Sequence, residues 1–176
     1  MSEQPDLKYD KSSYVGAFDE STLRKFEKWL NRNGYFGWHF RFDDSYVSHL
    51  KKHHGGIPKL RCFRTTEGTE KVITRFQHFA TLPPGSLLQD SAVETSWSLT
   101  SDRMGDNLMP FAHLFAGDML CFDYSGGGRP SVVVWFHEQS PPDEEPYTEF
   151  VAENFDEFLK KLYELPPPVK DDLNPE

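Results

Sequence analysis

Two short apolar runs near the middle of the chain constrain its fold most. Residues Met119–Tyr124 and Val132–Phe136 are rich in aromatic and β-branched residues, which favour strands. The glycine-rich join between them, Ser125–Pro130, is too short for a helical crossover, so the two runs are predicted to pair as an antiparallel hairpin. Neither run alternates between apolar and polar residues, which is typical of strands buried on both faces. The hairpin is therefore predicted to form the middle of a sheet that other elements cover.

The rest of the chain supplies helices and a second hairpin. Helix caps and apolar residues at helical spacing predict helices at 19–33, 43–54, 86–103 and 154–164. Strand patterns at 57–64 and 71–79 predict the second hairpin, and 150–151 predict a short edge strand. Strands that come in blocks indicate an α+β fold. We expect a central antiparallel sheet of about five or six strands built from two hairpins, with helices at both chain ends and one between the hairpins.

Length and composition indicate one globular domain. We assign residues 1–18 to an irregular N-terminal lead-in, 19–165 to a single domain and 166–176 to a flexible tail. Cys62 and Cys121 lie in apolar surroundings and are expected to be buried free thiols. The chain starts without an apolar signal segment and no run is long enough to cross a membrane, so a cytoplasmic location is expected.

The charge of the chain is strongly acidic, with a formal net charge of −9. Direct binding to nucleic acid is not expected, because neutralising phosphates requires clusters of Lys and Arg. The stretch Asp143–Glu157 contains no Lys or Arg at all. Two interpretations stay open for it: a solvated surface, or a docking site for a basic protein partner. The candidate partner-binding residues are Asp143, Glu144, Glu145 and Glu149.

Two of the seven histidines have the spacing of zinc ligands. His49 and His53 are four residues apart on a predicted helix and therefore share one face. In H-E-x-x-H zinc sites the second residue is a glutamate, whereas Leu50 stands there in this chain, and Lys51 and Lys52 would repel a cation. We therefore expect solvated surface histidines and predict no metal site.

Other candidate chemistry is equally weak. Gly126–Gly128 precede a strand and lack the Gly-Lys-Ser/Thr ending of a phosphate-binding loop, so a hairpin loop is expected. A dyad of Cys121 and His113 is an alternative, but a thiol in a buried strand is inert. Asp118 and Asp123 flank the first central strand and could act as paired carboxylates, although Asp118 follows a glycine and fits a turn. No catalytic residue and no cofactor are predicted.

Four short motifs, in a fixed order, resemble the SUKH superfamily in its branch similar to the fungal Smi/Knr cell-wall synthesis regulators. They lie at 44–56, 109–123, 130–138 and 151–159. The chain departs from the family pattern at Arg41-Phe42, where Leu-Pro is usual, and at His54, which replaces an Asn. The residues that match the family framework are Gly55, Gly56, Pro110, Gly117, Asp118, Cys121, Asp123, Trp135, Phe155, Phe158 and Leu159.

The resemblance implies an α+β fold and, for bacterial members, an immunity protein that binds and neutralises a cognate toxin domain, often a nuclease. It carries over no catalytic residues, because the family works by binding. A basic toxin domain would match the acidic charge of the chain. A regulatory scaffold of the cell-wall type is the alternative, and an enzyme that uses His113, Asp118 or Cys121 is a distant third. The oligomeric state stays open.

Overall fold

A computed structural model describes residues 3–37 and 39–166 of the chain; most of the predicted tail 166–176 lies outside them. The fold is α+β, as predicted. The helices are α1 (Glu20–Asn33), α2 (Asp44–Lys52), α3 (Val93–Met104) and α4 (Phe155–Lys160). The strands are β1 (Tyr9–Asp10), β2 (Ile57–Pro58), β3 (Leu60–Arg64), β4 (Glu70–Phe76), β5 (Leu108–Leu114), β6 (Met119–Asp123), β7 (Ser131–Trp135), β8 (Thr148–Ala152) and β9 (Tyr163–Glu164).

The main sheet has seven antiparallel strands in the order β8-β7-β6-β5-β4-β3-β9, rather than the five or six predicted. The prediction was too low partly because residues 163–164, assigned to the end of the last helix, form β9. That helix ends at Lys160, and the chain then pairs Tyr163 with Cys62 in β3. Strands β1 and β2 form a separate small sheet. The third helix also differs, because it begins at Val93 instead of residue 86.

Backbone hydrogen bonds to His78 explain why α3 begins later than predicted. The His78 N–H donates to the Ser91 carbonyl oxygen at 3.0 Å, and the Val93 N–H donates to the His78 carbonyl oxygen at 2.9 Å. The chain therefore passes alongside His78 before the helix begins. Contacts with a residue so distant in sequence override local helix propensity.

The central hairpin is buried on both faces, which confirms the main prediction from the sequence. Strands β6 and β7 pair from Met119 opposite Trp135 to Asp123 opposite Ser131. One face of this pair joins the large aromatic core under α1, α2 and α4, where the rings of Phe111 and Phe122 stack at 4.3 Å. The other face forms a smaller cluster of apolar side chains: Met104, Leu108, Met119, Cys121, Val133 and Trp135. Burial of each such side chain stabilises the fold by roughly 1.5–3 kcal/mol.

The sheet curls into a half-barrel, so that the turn between β3 and β4 reaches β8 on the far side. The Thr66 N–H donates to the Phe150 carbonyl oxygen at 2.9 Å. The hydroxyl groups of Thr65 and Thr69 each donate to the Glu149 carboxylate at 2.7 Å. Strand β8 is therefore covered along part of its outer edge, which blocks uncontrolled strand pairing.

Residues near the N-terminus pack onto the domain although they contain little regular structure. Between residues 3 and 18 the chain forms β1 and a single 3-10 turn, yet the side chains of Leu7 and Val15 are buried. Both cysteines are free and buried, as expected. No helix in the described part of the chain is long and apolar enough to span a membrane.

Candidate functional site

An acidic groove of about 450 Å³ lies where the end of α3 meets the loop before β8 and the turn after β6. None of the described residues that line this groove is Lys or Arg. Its carboxylates come from three separate parts of the chain: Asp102, Asp106, Asp123, Asp143, Glu144 and Glu145. We call this surface the acidic groove. Its charge makes it attractive to a cationic ligand or a basic protein surface.

Backbone contacts fix the walls of the acidic groove. The Asp143 N–H donates to the Asp102 carbonyl oxygen at 3.0 Å, which joins the acidic loop to α3. A Cβ atom on Gly105 would lie 3.3 Å from Pro146, so glycine allows α3 to end close against the loop. The Ser140 hydroxyl accepts a hydrogen bond from the Tyr147 N–H at 3.0 Å. A surface that is already ordered loses less conformational entropy on binding.

Glu149, the fourth residue of the predicted partner site, does not belong to the acidic groove. Its side chain is buried, with 7% of the residue exposed, and accepts hydrogen bonds from Thr65, Thr69 and Tyr147. Burial alone would raise the pKa of this carboxyl, but those three hydroxyl donors outweigh it and lower the pKa. Glu149 therefore stabilises the curled sheet and is not available to a partner.

Three carboxylates of the groove were not in the predicted partner site. Asp102 lies in the last turn of α3, and Asp106 follows Gly105 directly after that helix. Acidic residues are unfavourable near a helix C-terminus, where the dipole prefers cations. Such a placement is a sequence signal that could have identified Asp102 and Asp106. Asp123 carries no comparable signal, because only the fold brings it to the acidic loop.

Asp118, which matches the family framework, has a structural role. Its Oδ1 atom accepts hydrogen bonds from the His137 N–H at 3.0 Å and from His137 Nδ1 at 2.7 Å. Its Oδ2 atom lies 2.6 Å from Lys71 Nζ. Burial would raise the pKa of Asp118, but Lys71 and His137 outweigh it and lower the pKa. Asp118 thereby ties β4, the turn before β6 and the turn after β7 together.

Trp135, another framework residue, attaches the end of α3 to β7. The Trp135 indole N–H donates to the Arg103 carbonyl oxygen at 3.1 Å, and the Arg103 guanidinium lies over the indole ring at 5.5 Å. Arg103 also donates to the carbonyl oxygens of His137 and Ser140. Since the end of α3 forms one wall of the acidic groove, these contacts fix the position of that wall.

The remaining framework residues lie where close packing requires them. A Cβ atom on Gly55 would lie 2.8 Å from the His78 Cβ, and one on Gly56 would lie 2.7 Å from the Tyr14 ring. Gly117 has a φ of +90° beside His137. The others are buried in strand β5 or in the core: Pro110, Phe155, Phe158 and Leu159.

The structure does not place the candidate catalytic side chains in arrangements that would support catalysis. Cys121 is fully buried, and its burial raises the pKa of the thiol far above its ordinary value. His113 Nε2 instead lies 3.2 Å from the Asp90 carbonyl oxygen. Asp118 precedes β6 and Asp123 ends it, so their backbones lie about 16 Å apart along the strand. This spacing does not favour paired carboxylates.

The prediction of solvated histidines on the second helix is wrong for His49. Only 2% of this residue is exposed, and its Nε2 atom lies 2.6 Å from the Tyr9 hydroxyl. His53 Nδ1 lies 2.6 Å from the Tyr14 hydroxyl. Burial, followed by the charges of His53 and Lys52, lowers the pKa of His49 to about 3. Within residues 3–37 and 39–166, no group of three or more His, Cys, Asp or Glu side chains could hold a metal ion.

Comparison with known proteins identifies the family. The SUKH_6 family model, described as SMI1-KNR4 cell-wall, matches residues 37–159, well over half of the chain. The chain belongs to the SUKH_6 family. All of the framework residues named from the four motifs lie inside this SUKH_6 match, so the resemblance seen in the sequence is confirmed.

This SUKH_6 protein is similar to the SPbeta prophage-derived uncharacterized protein YokK of Bacillus subtilis (strain 168). It is 33% identical over 66 residues, which are 38% of this chain and 32% of that protein. The match thus spans about a third of the length of the relative. No solved structure matches the chain.

Proposed function

We propose that this SUKH_6 protein is an immunity protein that binds and neutralises a cognate protein toxin domain at the acidic groove. Its family supports this proposal, because SUKH proteins are often toxin immunity proteins. The observation that carries it is the groove itself, where six carboxylates meet and no Lys or Arg lies among the described lining residues. The proposed contacts are Asp143, Glu144 and Glu145, joined by Asp102, Asp106 and Asp123.

Electrostatics indicates the kind of toxin that would fit. A nuclease toxin must bind a phosphate backbone, so its active face carries clustered Lys and Arg. An acidic groove on a protein of net charge −9 would attract that face, speed the encounter and exclude acidic partners. Covering the basic face would also keep the nucleic acid away. The proposed mechanism is therefore occlusion by binding, without any chemical step.

A regulatory scaffold of the cell-wall type is the second candidate, and the cell-wall description of the family model favours it. The two candidates differ in how they bind. An immunity protein would form a tight one-to-one complex with one toxin domain, whereas a scaffold would bind several partners weakly. An enzyme that uses Cys121 or Asp118 is not proposed, because burial raises the pKa of the Cys121 thiol and Asp118 pairs with Lys71 and His137.

Reversing charges in the acidic groove should weaken the complex with the cognate toxin domain, which we expect the adjacent gene to encode. We expect Asp143→Lys, Glu144→Lys and Glu145→Lys together to lower the affinity by at least about tenfold and to flatten its salt dependence. Isothermal titration calorimetry at low and high salt measures both effects. The matched control reverses three exposed acids outside the groove: Glu3, Glu138 and Glu153. An affinity equal to that of the control would remove the groove from the interface.

A further inference from the structure

One face of α1 is basic although the protein is acidic. Lys25, Lys28, Trp29 and Arg32 follow the i, i+3, i+4, i+7 spacing that places side chains on one side of a helix, and all four are exposed. Across the described part of the chain, no carboxylate oxygen lies within 4.0 Å of the nitrogens of these three cations. Their charges therefore face solvent without a close ion-pair partner.

Two exposed aromatic rings complete this surface. Trp29 is 41% exposed and Tyr35 is 45% exposed, and their rings stack with centroids 5.2 Å apart. Both also contact the buried Trp97 ring edge-on, at 6.0 Å and 4.9 Å. The packing fixes both rings, so they present apolar area at little entropic cost. Exposed Trp and Tyr beside Arg are typical of binding hot spots. We call Lys25, Lys28, Trp29, Arg32 and Tyr35 the basic aromatic face.

Helix α3 connects this face to the acidic groove. Trp97 lies beneath the face, and Asp102 lines the groove five residues later, which is about 7.5 Å along the helix. Leu99 lies between them in the sequence and is 68% exposed. Along α3, Trp97 thus supports the basic aromatic face, Leu99 is exposed to solvent and Asp102 lines the acidic groove.

We propose that a second copy of this chain occupies the basic aromatic face with its acidic groove. In a two-fold dimer every contact between two different residues occurs twice, once in each direction across the axis. The basic face of each copy would therefore pair with the acidic groove of the other. An axis near Leu99 brings the two copies of this leucine together and places the face of each copy against the groove of the other. The proposal is independent of the immunity function, although a toxin that fills the groove would compete with the dimer.

The test is the oligomeric state of the purified chain, measured by sedimentation velocity over a range of protein concentrations. We expect a reversible dimer whose affinity falls at least about tenfold between about 0.05 M and 0.5 M salt, because salt screens exposed charges. Lys25→Glu with Lys28→Glu and Arg32→Glu reverses the charge of the basic aromatic face, and Asp102→Lys with Asp143→Lys, Glu144→Lys and Glu145→Lys reverses the net charge of the acidic groove, so each variant should be a monomer. An equimolar mixture of these two variants should restore a dimer, because both contacts then pair opposite charges.

The control is Lys11→Glu with Lys52→Glu, two exposed cations outside the face, which should dimerise like the unmodified chain. Far-UV circular dichroism verifies that all variants are folded. A monomeric chain at every concentration in low salt would overturn the proposal. So would a dimer that both charge reversals leave intact, or a mixture of the two reversed variants that stays monomeric.

Discussion

Asp118→Ala is expected to lower the free energy of unfolding by about 3 kcal/mol, because it leaves a largely but not fully buried lysine without its partner. The Lys71 side chain is only 16% exposed, and its ammonium lies 2.6 Å from the Asp118 carboxylate. The substitution also removes the acceptor of two hydrogen bonds from His137. Urea denaturation measures the change, provided that the slope with urea stays constant.

A second substitution separates two contributions to this loss of stability: the unpaired charge of Lys71 and the lost contacts of the Asp118 side chain. Lys71→Met removes the ammonium but keeps an apolar chain of similar length, so Asp118→Ala with Lys71→Met should be more stable than Asp118→Ala alone. Glu153→Ala, at an exposed glutamate, is the control and should change stability by less than about 0.5 kcal/mol. If Asp118→Ala were as mild as this control, Asp118 would not connect the three segments as described.

Acidification should destabilise the protein through His49. Burial lowers the pKa of His49 to about 3, whereas an unfolded histidine has its ordinary value of 6.5. Between these two values the unfolded chain binds a proton that the folded chain excludes, so stability is complete above pH 6.5 and falls as the pH decreases towards 3. Each pH unit in this window corresponds to about 1.4 kcal/mol, which makes the loss at pH 4 about 3 kcal/mol.

His49→Gln isolates this effect, since glutamine still offers the Tyr9 hydroxyl a polar partner and does not titrate. The stability of the unmodified chain should fall more steeply than that of the variant as pH decreases from 6.5 to 4. Chemical denaturation at several pH values measures both curves. His39→Gln, at an exposed histidine, is the control. Parallel curves for the unmodified chain and His49→Gln would contradict the account of a buried neutral His49.

The parts of the fold that depend on neighbouring residues could be predicted from the sequence. The side chain of Asp19 accepts a hydrogen bond from the Ser21 N–H, and Asn154 accepts one from the Glu157 N–H, so both predicted caps are confirmed. The pairing of β6 with β7 depends on a short glycine-rich turn. In each case the partner lies a few residues away, where spacing and residue type carry the information.

The parts that were missed depend on distant partners. Asp43 precedes α2 but makes no cap hydrogen bond; its carboxylate instead pairs with Arg129, in the loop after β6. Glu149 was assigned to the acidic surface because acids surround it in the sequence. Its actual donors include Thr65, 84 residues away. Spacing along one sequence does not reveal such contacts.

In the candidate site, too, sequence neighbours could be predicted and distant partners could not. Consecutive acids at 143–145 indicated one wall of the acidic groove, but folding brings Asp102, Asp106 and Asp123 to the other walls. The family motifs, by contrast, identify buried residues such as Asp118 and Trp135 that determine the framework. We infer that the framework is the shared property of the family, whereas the acidic groove carries the specificity of this chain for its proposed partner.

Co-expression with the domain that the adjacent gene encodes, the expected toxin domain, tests the proposed function most directly. Cells that produce this toxin domain should stop growing, and co-expression of the unmodified chain should restore their growth. The variant with Lys at Asp143, Glu144 and Glu145 should protect poorly, while the control reversed at Glu3, Glu138 and Glu153 should protect fully. If the toxin domain kills cells equally with and without this chain, the immunity function is wrong.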